Sequence, residues 1–112
     1  MAEWAKVDVG FLRHPQVCAL RPLDRLAYLA LILYAMEHET DGLVPTTSID
    51  ACGVKPAQIE AMVAAGLVKQ VAAGWTIDGF KRNQQTRAEM EEHRAQNAAR
   101  QKAYRVRHKE SP

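Results

Sequence analysis

The chain has 112 residues, 47% apolar content and 25% charged residues, which describes one small soluble domain with room for an extension. The longest apolar run, Leu26 to Met36, is too short to span a bilayer, and no cleavable signal is read ahead of it, so no membrane partner is expected. The formal charge of +2 is unevenly placed. Residues 1–80 hold nine Asp/Glu against six Lys/Arg, a net −3, and residues 81–112 hold nine Lys/Arg against four Asp/Glu, a net +5.

In chain order, Trp4, Val7 and Val9 alternate and predict a short strand or an extended arm. Phe11, Leu12, Val17 and Leu20 fit a helical turn around His14-Pro15. Pro22 suits the first position of a helix and Asp24 its first turn. Leu23, Leu26, Ala27, Ala30, Leu31, Tyr34 and Ala35 then recur at three- and four-residue spacing. Leu29, Ile32, Leu33 and Met36 make the other side apolar too. A helix apolar nearly all round is expected to be buried nearly all round. It is then either the central helix or one side meets another subunit, and Leu29, Leu33 and Met36 are the candidate contact with a second copy.

Asp41-Gly42 ends that helix, and Leu43-Val44 before Pro45 suits a short edge strand. Thr46, Thr47 or Ser48 is expected to cap a short helix over Ile49 to Cys52. Pro56 begins another helix with Ile59, Met62 and Val63 on one face and Gly66 as its stop. Leu67, Val68 and Val71 read as a strand, Ala72-Ala73-Gly74 as a turn, and Trp75 and Ile77 as the return strand. A last helix is expected from about Gln85 to about His108, rich in Ala, Glu, Gln and Arg.

Helix, short strand, short helix, turn, helix and hairpin are the elements of a winged helix in order. The expected class is therefore mainly α with a small β-hairpin (α+β): a winged-helix domain over 1–83 and a long basic helical extension over 84–112. Several pieces also resemble known proteins: Trp4-x-Lys6-Val7-Asp8-x-Gly10-Phe11 with His14-Pro15, Leu26-x-Tyr28-Leu29-x-Leu31, Thr40-Asp41-Gly42-Leu43-Val44-Pro45, Ala65-Gly66-Leu67, Gly74-Trp75-x-Ile77 and Gln84-x2-Arg87. This ordered set resembles small helix-turn-helix proteins of actinobacterial phages and prophages. It is also similar to the N-terminal winged-helix domain of phage replisome organisers, the group related to the primosomal DnaD proteins. The resemblance implies DNA binding, in replication initiation or transcription regulation, inside a bacterial cytoplasm.

The charge pattern points to the same partner. Arg94, Arg100, Lys102, Arg105, Arg107 and Lys109 follow one another with no acid among them, and on a helix they wrap around it rather than forming one stripe. Such a run suits phosphates on both sides of a groove. A solvated helix held by pairs such as Glu89–His93 is the plainer alternative. Asn97-Ala98-Ala99-Arg100 is close to a bZIP basic region in composition, but the spacing differs and no leucine heptads follow. The segment in the recognition-helix place offers only Lys55 and Gln58, against Glu60, so it is either a reader or a structural element. The wing offers Lys69. Lys81, Arg82 and Arg87 complete the expected DNA-contacting set.

Trp4, Trp75 and Phe80 are expected in the core, and Cys18 and Cys52 as buried thiols. His14, His38, His93 and His108 share no metal spacing, and no nucleophile–base pair or phosphate loop is present. No cofactor and no enzymatic activity are expected. The rival to DNA binding is a protein–protein adaptor that docks a host or phage replication or transcription protein on its acidic body.

Overall fold

The computed structural model describes residues 3–110, with side chains described through Arg107. Residues 3–9 form an arm without regular structure, and a 3₁₀ turn at Phe11–Arg13 leads into α1 (Pro15–Cys18). The central helix α2 (Pro22–Glu37) follows, then β1 (Leu43–Pro45), a 3₁₀ turn at Thr46–Ser48, α3 (Pro56–Ala64), β2 (Val68–Val71), β3 (Gly74–Ile77), α4 (Phe80–Asn83) and α5 (Arg87–Glu110). The protein is thus α+β: helices around a small three-stranded antiparallel sheet, with a long C-terminal helix. The strand order is β1-β3-β2, so Leu43–Pro45 is the edge strand its proline suggested.

Apolar spacing explains the core. Ala27, Tyr28, Leu31, Ile32, Ala35 and Met36 lie on one side of α2 and are buried with Ile59 and Met62 of α3, Val44 of β1, Val68 of β2 and Ile77 of β3. Phe11 stacks on Tyr28 with ring centroids 5.9 Å apart. Two glycines permit close approaches. A Cβ on Gly74 would lie 2.2 Å from the Val44 carbonyl oxygen, so only glycine lets β1 and β3 meet there. Gly42 has φ +94 and sits against the Phe80 ring, which fixes the α2–β1 loop over α4.

Several expectations are corrected. Cys18 is exposed, at the end of a one-turn helix, and its thiol donates to the Leu12 carbonyl at 2.9 Å; Cys52 is half-buried and also free. Burial, then the nearby Glu37 carboxylate, pushes the Cys52 thiol pKa up. Trp4 is 77% exposed because the arm carries it past the core; Trp75 is half-buried, and Phe80 alone of the three is fully inside. The residues after Pro45 make a 3₁₀ turn at Thr46–Ser48, in place of a helix over Ile49 to Cys52. Val63 is exposed on α3. Above all, α2 is not buried all round. Leu23, Leu26 and Leu33 are exposed, Leu29 is half-buried and Met36 is inside, because a body this small covers only one side of a sixteen-residue helix.

Candidate nucleic-acid interface

Helix α5 starts two residues later than the composition suggested, and the reason is local. Thr86 is its cap: the hydroxyl accepts the Glu89 amide at 3.2 Å, the Thr-x-x-Glu spacing that favours a helix start. The first amide, Arg87 N–H, donates to the Asp41 carboxylate at 2.7 Å, so a loop 46 residues away in sequence completes the cap. One turn further on, Met90 is buried in the core. A turn after that, the Arg94 guanidinium pairs with the Glu39 carboxylate.

That grip depends on how α2 ends. Thr40 N–H returns to the Ala35 carbonyl at 3.0 Å and Glu39 N–H to Met36 at 3.3 Å. This is the paired C-terminal motif that needs a left-handed residue, commonly glycine. Here Glu39 takes that conformation, with φ 54, and Asp41 repeats it with φ 55. The loop thereby holds two carboxylates to the first two turns of α5. The Arg94 hydrogen bond, then its charge, keeps the Glu39 carboxyl below its ordinary pKa, and the same contact raises that of Arg94. Between them the Thr40 hydroxyl is buried without a hydrogen-bond partner among the described residues.

Past Arg94 the helix leaves the body. Every described side chain from Glu91 to Arg107 is exposed. The molecule is 65 Å in its longest dimension, and its radius of gyration is 18.2 Å, against about 13 Å for a compact chain of this length. The expected cations therefore divide. Arg87 is paired to Glu91 at 3.1 Å, and Arg94 to Glu39, so both serve the helix and its attachment. Arg100, Lys102, Arg105 and Arg107 are exposed on the projecting part with no acid among them. His93 faces Asn97 at 3.3 Å rather than the expected Glu89. The side chains of Lys109 and His108 lie outside the described residues.

The remaining candidates sit on separate elements. Lys55 is exposed at the start of α3, and its amide donates to the Gln58 side-chain carbonyl at 2.9 Å. Gln58 is half-buried and that carbonyl caps the helix, which reduces what it can offer a base edge. Lys69 is exposed on β2 opposite Thr76, and Lys81 and Arg82 are exposed on α4. Arg82 also borders an open groove of about 630 Å³ between the arm, α2 and α4, with Lys6, Phe11, Tyr28, Leu67 and Asp78 in its wall. Burial, then the Asp78 carboxylate, raises the Tyr28 pKa. The arm is fixed by Gln84, a buried amide whose oxygen accepts Lys6 N–H at 2.8 Å and whose nitrogen donates to the Lys6 carbonyl, as a neighbouring strand would.

Sequence reasoning missed Glu39, Asp41, Thr86 and Gln84. The Thr86-x-x-Glu89 spacing was readable; the other three act across long sequence separations and leave no local signal. Among the described residues no helix is long and apolar enough to cross a membrane. Comparison with models of protein families, with curated proteins and with solved structures finds no match.

Proposed function

We propose that this chain is a non-enzymatic DNA-binding protein that captures double-stranded DNA electrostatically through α5, with its body, read as a winged helix, supplying orientation. One observation carries the reading: residues 95–107 form a helix with no acid, four exposed cations and no cover from the body. An isolated helix of that length is marginal in water, so a polyanion that neutralises its cations would also stabilise it. The winged-helix reading rests on the order of α2, β1, α3 and the β2–β3 hairpin; α3 stands in the recognition-helix place and the hairpin in that of the wing. Its weak outward chemistry, Lys55 and a capping Gln58, makes it a secondary contact. The process is replication initiation or transcription regulation of the phage or prophage type.

The adaptor reading draws on the exposed leucines of α2. Salt separates the two, because phosphate binding releases counterions and weakens steeply as salt rises, while apolar docking does not. The deciding experiment compares the full chain with a chain ended after Arg94, which keeps the cap, Met90 and the Glu39 pair. The full chain should bind duplex DNA with strong salt dependence, and the shortened chain should lose most of that affinity. Equal binding by the two would move the site to the body.

A further inference from the structure

The groove between the arm, α2 and α4 holds three polar side chains that the fold leaves unpaired: Tyr28, Asp78 and Arg82. Tyr28 is 7% exposed, with its ring stacked on Phe11 and its hydroxyl without a hydrogen-bond partner among the described residues. Among those residues Thr40 has the one wholly enclosed side-chain oxygen that lacks a partner. The Tyr28 hydroxyl, equally unpartnered, therefore opens onto the groove whose wall the residue forms. A phenol so far withdrawn from water favours any group that completes its hydrogen bonding. Asp78 and Arg82 stand in the same wall, and neither takes part in an ion pair among the described residues. They are neighbours nonetheless. A Cβ on Gly79 would lie 2.8 Å from Arg82 Nη2, so the guanidinium covers the residue next to Asp78. Asp78 N–H donates to the Leu67 carbonyl at 2.9 Å and Arg82 N–H to the Gly79 carbonyl at 3.1 Å, which fixes both backbones. The Asp78 charge also reaches the phenol, whose pKa is raised first by burial and then by that carboxylate. Asp8, the other acid of the wall, is engaged in its own turn, where its carboxylate accepts Gly10 N–H at 2.7 Å.

We propose that this groove binds a free α-amino acid with an apolar or aromatic side chain. Asp78 receives the ammonium, Arg82 and the Tyr28 hydroxyl receive the carboxylate, and Phe11, Val17, Ile32 and Leu67 receive the side chain. Charge decides the class of ligand. A simple anion drawn to Arg82 meets Asp78 beside it, and a simple amine drawn to Asp78 meets Arg82. A molecule carrying both charges one carbon apart satisfies both neighbours at once. The apolar part of the wall adds the burial that a bare zwitterion in water does not gain. The volume, about 630 Å³, falls within the range of small-molecule sites, and a few convergent polar groups on an apolar wall are their usual make-up.

The test is a titration of the full chain, without DNA, with L-phenylalanine and L-leucine, followed by amide nitrogen–proton correlation spectra. Its outcome is independent of whether α5 binds DNA. Saturable shifts are expected at Phe11, Tyr28, Gly79 and Arg82. 2-Phenylethylamine lacks the carboxylate and 3-phenylpropionate lacks the ammonium, so each should bind at least about tenfold more weakly than L-phenylalanine. Tyr28→Phe keeps the ring stack and removes only a hydroxyl that has no partner in the fold, and Asp78→Asn and Arg82→Gln change exposed side chains. Circular dichroism should therefore be unchanged in all three, while the dissociation constant for L-phenylalanine rises roughly tenfold in each. No saturable shift with either amino acid overturns the proposal. Equal binding of the amine or of the acid overturns the zwitterionic class, and variants that bind as tightly as the unaltered chain move the site away from this groove.

Discussion

Glu39 and Arg94, 55 residues apart, form the ion pair that ties the long C-terminal helix to the end of the central one. The contact exists because Glu39 occupies the left-handed position that closes α2, which turns its carboxylate away from its own helix and toward α5. Backbone geometry at one helix end thus directs the other helix, and with Asp41 and Met90 it fixes where the basic segment leaves the body.

The pair makes a pH prediction with a definite sign. Glu39 has a folded pKa below its ordinary value, so its contribution is present above about pH 4.3 and is lost as pH falls through the depressed value. Amide protection in the first two turns of α5, taken relative to the intrinsic exchange rate at each pH, should therefore fall as pH drops through the depressed Glu39 value, before the β-sheet opens. Glu39→Gln should reproduce that loss of protection at neutral pH. Glu39→Gly should loosen α5 in the same way while relaxing the left-handed backbone, so it should leave global stability higher than Glu39→Gln does. Unchanged exchange in both variants would show that Asp41 and Met90 suffice.

DNA affinity should distinguish Arg94, which ties α5 to the body, from the exposed cations of the projecting segment. If the exposed set engages four phosphates, the log–log salt slope should be about −3.6. Arg105→Ala should flatten that slope by about 0.9. Arg94→Ala should loosen α5 and leave the slope nearly intact, because Arg94 already faces Glu39. Gln58→Ala should have a small effect, confined to a preferred sequence, since base contacts specify rather than supply most of the affinity. Titrations at several salt concentrations read all three.

Gln84 is a structural amide. Gln84→Ala removes both bonds to Lys6 and leaves a backbone pair unsatisfied, a loss of about 1–3 kcal/mol. Urea unfolding should give that magnitude, and limited proteolysis should begin in the arm at residues 3–9.

Gly74→Ala should destabilise the sheet by about 1–3 kcal/mol. The added methyl meets the backbone of Val44, Pro45 and Thr46, none of which can swing aside as a side chain would. The same denaturant series measures it, and a midpoint equal to that of the unaltered chain would refute the close approach.

Much of the body was legible because its signals are local. Proline at the first helical positions, Gly66 at a helix stop and alternation in the hairpin depend on neighbouring residues, so α2, α3, β2 and β3 fell close to where periodicity put them. The charge asymmetry was equally plain, since net charge is a sum over a segment whatever its fold. Burial was harder to read. Trp4, Cys18 and the leucines of α2 are apolar by type, yet a small body has too little interior for all of them, and only packing decided which stayed outside.

What the sequence by itself determined is α2, α3, the β2–β3 hairpin and a long last helix that is basic and free of acids from Arg94 to Lys109. That Arg94 is held by Glu39 was decided by the tertiary structure alone. The partners of Arg87 N–H and Arg94 come from a loop 46 and 55 residues earlier, and no spacing rule spans that distance. The physical reason is that helix propensity and charge act within a few residues, whereas the docking of α5 depends on the left-handed end of α2 and on the core opening that admits Met90.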